Sequence, residues 1–556
     1  MAGSHSKNVA HNFSAGLALK LTNQVISFLV VKLLFINTLG TQYNGVSTLF
    51  SSILNVLALA ELGISTAITY SLYNPIRTND YRRIAALMNV YKKAYRLIAA
   101  FVFTAGMLCI PFLPYLVKNA PDIKESITLI FVLYIIKNSV SYLLAYKHTL
   151  LTASERRYEV SRIGLYFTLI RATIEFLVLY FTRDFILYLI VSILEEITRN
   201  WVISRRATKY FPEIEEYHDE QLPRTEINSL LKDISALSFY KVCNVALNST
   251  DSIFIAMMPS LGIISVGNLG VYNHITNSIA VIVQQFYASF TPSLGVMATN
   301  ATAEKQYKVF RTTNFVSFCA MCFCCTSLFC LLGPFITKIC FPNKNLDMPL
   351  HIIGMIVFNF YTASMMRPTN AFRNGNGLFR QGKFRPLVMA AINIGMDLYL
   401  VHVWGIFGVL LSTSIARLVT QTWYDPWLLY RRVFKRPVKE YYWMYLGYTA
   451  VTIVSCAVTY YLCSILPPYN RFIRFFLQMI LCVVISLSFI FVIYHKTDEY
   501  KDFIKRVMTL LGRRGKSGSR STQYPVDEST EIENALQESS EVHIQAPAIK
   551  DSAIND

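Results

Sequence analysis

The sequence predicts an all-α polytopic membrane protein of 14 transmembrane helices, arranged as two parallel six-helix lobes plus two extra C-terminal helices. Three observations carry that prediction. Of 556 residues, 53% are hydrophobic and only 15% are charged, against about a quarter charged in a soluble domain. Windows of about 20 residues, the length that crosses the hydrocarbon core, mark fourteen apolar spans. Lysine and arginine alternate from loop to loop in step with that count. Counting span edges, the even-numbered loops and the membrane-proximal tails hold 35 basic residues. The opposite loops hold six: Lys118, Lys124, Arg183, Lys338, Lys344 and Arg471. A missed or invented span would scramble this alternation, so the positive-inside rule places both termini in the cytoplasm. The expected location is the cytoplasmic cell membrane. Topology also accounts for the net charge of +18, and no nucleic-acid module occurs.

The first run, 13–37, is too long and too polar for a signal peptide and lacks a small-residue cleavage site, so it is a span. Spans near 44–70, 94–117, 125–147, 163–182 and 186–204 complete an N-terminal lobe over 1–204. The polar stretch "RRATKYFPEIEEYHDEQLPRTE" falls in 205–231, where a cytoplasmic linker belongs. A second lobe over 232–430 holds spans near 232–258, 270–298, 312–337, 349–372, 386–403 and 405–424, with "VHVWGI" leaving almost no loop between the last two. Two more, 442–466 and 472–495, lie within 431–511. From 512 to 556 the chain is polar and then acidic, cannot bury enough surface to fold alone, and reads as a disordered cytoplasmic tail.

A faint repeat supports the two lobes. "LGTQYNGVSTLFSSILNVL" from Leu39 resembles "LGIISVGNLGVYNHITNSIAVI" from Leu261. The offset covers six spans, an even number, so the copies point the same way through the membrane. Parallel repeats of this kind place a transport site between the halves.

Charges inside the spans point to that site. Lys20, Lys137, Arg171, Lys241, Arg367 and Arg417 lie away from span ends or are enclosed. Each would cost about 3 kcal/mol against lipid, and the six together would exceed the ~5–15 kcal/mol that stabilises a typical domain. They must therefore face water or partners. At 100° per residue, Lys20 shares a helix face with Asn23, Gln24 and Ser27, a stripe expected to face water and substrate. Lys241, Asn244, Asn248 and Asp251 fall within about 80° of one another. Asn273, Asn277 and Gln284 share a face of the eighth span. Two such stripes would line one central cavity, and its basic groups would bind an anionic substrate through charge-assisted hydrogen bonds. Arg171 and Glu175, at i and i+4, can instead neutralise each other, and Arg367 and Arg417 can snorkel to an end. Asp251, Glu175 and Asp397 are the candidates for ion coupling, or else partners for the cations.

The cysteines in "CAMCFCC", Cys319, Cys322, Cys324 and Cys325, lie on one apolar helix with no nearby histidine, so packing explains them better than zinc. No metal site is expected. No Walker loop, GxSxG or HExxH motif occurs, and no enzyme chemistry is expected.

Long segments carry a resemblance. "YNGVSTLFSSILNVLALAELGISTAITYSLYNPI" (43–76) is similar to the second span and following loop of bacterial polysaccharide flippases. "AFRNGNGLFRQGKFRPLVMAAINIGMDLYLVHVWGIFGVLLSTSIARL" (371–418) resembles the stretch joining their tenth to twelfth spans, and "NSTDSIFIAM" and "TPSLG" resemble pieces of the seventh and eighth. The chain thus resembles Wzx-like oligosaccharide-lipid flippases of the multidrug/oligosaccharidyl-lipid/polysaccharide exporter superfamily. The resemblance implies alternating access of a cationic cavity to a glycan on polyprenyl pyrophosphate, with the lipid tail left in the bilayer. It implies no cofactor, with proton or sodium gradient coupling open, and a monomer that meets membrane lipid and polysaccharide-assembly proteins. A small-molecule or drug exporter of the same superfamily is the runner-up. A membrane glycosyltransferase or ligase is a weaker alternative, because the outer loops are short.

Overall fold

The computed structural model describes residues 22–24, 26, 28, 33–61, 64–117, 123–217, 219–378, 381–382, 384–467 and 469–515. Among these residues the regular structure is helical throughout, without a strand. The helices are α1 (Leu33–Thr38), α2 (Thr41–Leu57), α3 (Ile64–Thr78), α4 (Tyr81–Cys109), α5 (Ile127–Ala153), α6 (Arg157–Phe181) and α7 (Phe185–Tyr210). They continue with α8 (Arg224–Met257), α9 (Gly262–Asn300), α10 (Ala303–Pro334), α11 (Leu350–Met365), α12 (Arg367–Gly375) and α13 (Arg385–Arg417). The last are α14 (Trp423–Leu429), α15 (Lys439–Ile465), α16 (Arg471–Tyr494) and α17 (Asp498–Gly515). This order matches the all-α, fourteen-span plan, with most helices running several residues past the expected span ends.

Six described helices are by themselves long and apolar enough to cross a membrane. Their outer faces carry large apolar side chains where a soluble protein would be polar: Trp443 is 75% exposed and Phe181 74%. Such a belt is stable only against lipid. The chain is a multi-pass membrane protein.

The repeat is visible in the backbone. Each copy opens on a glycine with positive φ, 102° at Gly40 and 64° at Gly262. The two copies, α2 and α9, pack against each other at their own glycines. A Cβ on Gly45 would stand 2.2 Å from the Ile263 carbonyl oxygen, and one on Gly267 would stand 2.5 Å from that of Thr41. At this contact Asn44 Nδ2 donates to the Gly267 carbonyl at 2.7 Å. In each half a tyrosine then ties the second span to the loop before the fourth. Tyr43 OH donates to Glu125 at 2.5 Å, and Tyr272 OH to the Leu346 carbonyl at 3.1 Å.

Spans eleven and twelve form one hairpin inside α13. The chain reverses at Gly405, whose φ of 57° and ψ of −132° only glycine adopts without strain. The stretch between the lobes does more than link them. Leu222 and Leu230 are buried in the same apolar cluster as Ile84, Leu87 and Tyr91, and Arg83 pairs with Glu226 at 3.1 Å. The two C-terminal spans pack on α10, with Phe318 stacked on Tyr448 at 4.2 Å and Thr326 bonded to Ser455 at 3.1 Å. Residues up to Glu499 belong to one compact unit and those from Tyr500 onward to a second. In that second unit α17 runs to Gly515, four residues into the segment expected to be disordered. The rest of that tail lies outside the described residues.

The glycine contact generates a stability prediction. Gly267→Ala should cost about 1–3 kcal/mol by overpacking and lower the unfolding midpoint in detergent. Gly395→Ala, where a Cβ meets nothing within 4 Å, should leave stability unchanged or raise it by up to about 1 kcal/mol, with the midpoint unchanged or higher. Equal midpoints for the two variants would contradict the tight seam.

Candidate functional site

The polar stripe of the first span meets both lobes. Thr168 Oγ1, on α6, donates to Asn23 Oδ1 at 2.6 Å, and Ser278 Oγ, on α9, donates to Gln24 Oε1 at 3.0 Å. One turn on, Phe28 stacks on His274 with centroids 6.1 Å apart. At Asn23 and Gln24 the stripe therefore faces protein hydroxyls instead of open water. Lys20 and Ser27 lie outside the described residues, as do the side chains of Lys241, Asn244 and Asn248. On α9, Asn277 and Gln284 are exposed and Asn273 is half-buried, so that face is open to receive polar groups.

In the N-terminal lobe the enclosed cations have acids beside them. Lys137 Nζ, on α5, donates to Ser192 Oγ on α7 at 2.6 Å. It stands among Arg171, Glu175, Glu195 and Glu196. Arg171 pairs with Glu175 at 3.8 Å, while Arg199 reaches Glu195 at 3.0 Å and Glu196 at 2.5 Å. Three bases thus face three carboxylates. Lys137 and Glu196 also line a cavity of about 210 Å³ with Ser51, Asn55, Tyr134 and Asn138. The cation Lys137, expected to face an anionic substrate, is instead ringed by acids, and Glu195 and Glu196 come from another helix that sequence spacing does not relate to it. Glu175, a candidate for ion coupling, belongs to this balanced network.

The C-terminal lobe differs. Arg417 Nη1 bonds to neutral atoms of α11: the Asn359 carbonyl at 3.0 Å, Asn359 Oδ1 at 3.4 Å and Thr362 Oγ1 at 2.8 Å. Arg367, close enough to Arg417 for the charges to interact, has its Nε buried without a hydrogen-bond partner among the described residues. Among the described residues neither arginine has a carboxylate within ion-pair distance. Snorkelling does not describe Arg417, which is held inward by α11.

Beside them lies an acid pair. Asp397, fully buried on the first arm of the α13 hairpin, accepts from Ser412 Oγ on the second arm. Asp251, from α8, accepts from Thr413 Oγ1 at 3.3 Å and is within hydrogen-bonding reach of Asp397. Asn393 Nδ2 donates to Ser412 Oγ at 3.1 Å and to Thr413 Oγ1 at 3.2 Å. Among the described residues three buried oxygens have no donor: Asp251 Oδ1, Asp397 Oδ2 and Asn393 Oδ1. Orphaned buried acceptors beside two adjoining carboxyl groups fit a shared proton or a hard cation with oxygen ligands. Asn393, Ser412 and Thr413 are missing from the sequence-derived site. The signal was available, since residues 397 and 412 stand almost equidistant from the Gly405 turn and must face each other.

A further ion cluster was unforeseen. Asp425 on α14, fully buried, is held by Arg373 Nη1 at 2.8 Å and by Arg385 Nη1. It clamps the hairpin after α12 to the end of span twelve. The other lobe makes the same clamp with the charges exchanged. Glu159, on its hairpin, pairs with Arg162 at 2.9 Å and Arg206 at 3.4 Å, and accepts from Tyr210 OH at 3.0 Å. Asp425→Asn leaves two buried guanidinium groups without a counter-charge. A loss of about 3–5 kcal/mol is expected, read as a fall in folded yield and unfolding midpoint; an unchanged midpoint would show that the clamp is dispensable.

No protein-family model matches this sequence, and no curated protein matches it. Among solved structures the chain is similar to the lipid II flippase MurJ in an inward closed conformation. That match has a TM-score of 0.57 and 13% identity, and covers 87% of this chain and 98% of the other. It is also similar to a mutant of the Vibrio cholerae MATE transporter VcmN, with a TM-score of 0.52 and 13% identity, covering 78% of this chain and 100% of the other. At that identity the likeness is one of fold, and it extends over nearly the whole length of both relatives. The chain has the fold shared by these membrane flippases and transporters.

Proposed function

We propose that this protein is a flippase that carries a polyprenyl-pyrophosphate-linked oligosaccharide across the cytoplasmic membrane by alternating access, for assembly of a surface polysaccharide. The observation that carries the reading is the neighbouring pair Arg367 and Arg417: Arg417 is held by neutral atoms of α11, and among the described residues neither guanidinium has a carboxylate within ion-pair distance. A pyrophosphate matches them, because arginine presents paired donors to phosphate oxygens. Lys20 and Lys241 would add charge from the first and seventh spans, and Asn273, Asn277 and Gln284 would bond to sugars. Lys137 and Arg171 keep a lesser role, since their glutamates screen them. The lipid II flippase neighbour supports a lipid-linked cargo, and both termini are assigned to the cytoplasm. We further assign ion coupling to Asp251 and Asp397 with Asn393 and Thr413, where a proton or sodium ion would satisfy the orphaned oxygens. The protein acts as a monomer, without an enzymatic step, beside the polysaccharide-assembly proteins that supply and receive the glycan.

The drug-exporter reading is favoured by one observation, the adjoining carboxyl groups of Asp251 and Asp397. A vesicle assay separates the two. With labelled lipid-linked oligosaccharide and matched protein levels, Lys241→Glu and Arg417→Glu should each slow translocation at least about tenfold, since a charge-assisted contact contributes about 1.5–3 kcal/mol. Arg417→Gln should slow it less, and Lys32→Gln, off the Lys20 stripe and near enough to the end of the first span to snorkel, should not slow it. Wild-type rates in both glutamate variants, with efflux of a cationic dye, would replace the flippase by the exporter.

Coupling is tested in the same vesicles under imposed proton or sodium gradients. Asp251→Asn and Asp397→Asn should abolish the response of the rate to the gradient. A response of wild-type size in both variants would move coupling elsewhere.

A further inference from the structure

The described cysteines are free thiols. The dense run Cys319, Cys322, Cys324 and Cys325 stays spread along α10, but three residues far apart in sequence converge. Cys330 comes from α10, Cys463 from α15 and Cys482 from α16. Their sulfur atoms all lie within 4.8 Å of one another, and all three residues are buried. Three sulfurs about 2.3 Å from one ion in a plane stand about 4.0 Å apart. Side-chain rotation of under an ångström would therefore close the triangle.

The surroundings favour a soft ion of low charge. Phe329, Leu331 and Leu481 pack around the thiols, and among the described residues the group of ligand atoms holds no histidine or carboxylate. A structural zinc site needs a fourth ligand. Copper(I) is selected by soft thiolates, and a bundle core that supplies only sulfur suits it. On one side Cys330 and Cys463 border a cavity of about 400 Å³, lined also by Lys338, Arg471, Arg474 and Gln478. Arg474 Nε there is buried without a hydrogen-bond partner among the described residues. The cavity offers the ion a way in and the thiol protons a way out, and its arginines balance the negative charge of a metal–thiolate group.

We propose that Cys330, Cys463 and Cys482 form a trigonal thiolate site for copper(I), which staples the two C-terminal spans to α10. Each thiol that ligates loses its proton to solvent through the adjoining cavity, and no oxidation is involved. The site is separate from the proposed transport machinery.

The test uses the full chain purified in detergent under argon and titrated with copper(I) against a chromophoric competitor. Thiolate-to-copper absorption in the ultraviolet should saturate at one equivalent. Cys330→Ser, Cys463→Ser and Cys482→Ser should each weaken binding by more than the ~10–100-fold typical of losing a mere outer-shell partner. A variant with serine at 319, 322, 324 and 325 should bind like the wild type. Copper(I) should raise the unfolding midpoint of those two proteins alone. Cys482→Ala is measured beside Cys482→Ser, so that a hydroxyl that disturbs the core is not mistaken for a lost ligand. Equal copper(I) binding by wild type and Cys482→Ala would overturn the proposal. So would preference for zinc, or a disulfide among the three cysteines in anaerobically isolated protein.

Discussion

The backbone-to-backbone approach of α2 and α9 is the contact on which the rest of the molecule depends. Lipid offers no hydrophobic drive for two helices to meet, so their association rests on van der Waals packing and on polar groups at close range. Gly45 and Gly267 remove the side chains that would hold the helices apart, and Asn44 reaches across to the Gly267 carbonyl. The first span reinforces the seam by bonding to α6 through Asn23 and to α9 through Gln24. The two halves, each braced internally, therefore meet at this glycine seam and, beside it, where α8 packs against α2 and α3. That arrangement suits lobes that tilt as bodies about a fixed line.

Each lobe is braced at the end bearing the basic loops by a buried ion cluster, around Glu159 in one half and Asp425 in the other. The exchange of charge between the two clamps shows that the repeat preserves a mechanical job without preserving the residues that do it. The mid-span charges divide differently. Around Lys137 each base has an acid, which stabilises the N-terminal lobe and weakens its pull on an anion. Around Arg417 the guanidinium is met by carbonyl and hydroxyl oxygens, and the nearby acids Asp251 and Asp397 turn toward each other. The C-terminal lobe thus holds both unbalanced arginines and unbalanced carboxyl groups, and the proposed cargo and coupling ion are assigned to it for that reason.

Much of the fold was legible because the membrane imposes one-dimensional rules. Span length, loop charge and an even-numbered repeat offset each survive without knowledge of tertiary contacts, and the hairpin at Gly405 could be seen in the missing loop. The site was less legible. Helix-face geometry groups Asn393 with Asp397, one turn apart, but an amide beside an acid does not by itself mark a site. Nothing local relates Lys137 to Glu195, Arg373 to Asp425, or Cys330 to Cys463 and Cys482. Those partners are chosen by helix packing, and a charge or thiol count taken span by span cannot see them. The cysteine run that drew notice in the sequence was the wrong one for the same reason.

Rocking of the two lobes about the glycine seam is most directly tested by distances between them. Spin labels placed at Glu155 and Asn374 report on the ends that carry the basic loops, and labels at Thr182 and Asn345 report on the opposite ends. All four positions are exposed. Adding a polyprenyl-pyrophosphate-linked oligosaccharide to the reconstituted protein should shift the two distances in opposite directions, one pair closing as the other opens. Distances that stay fixed, or that change together, would contradict alternating access.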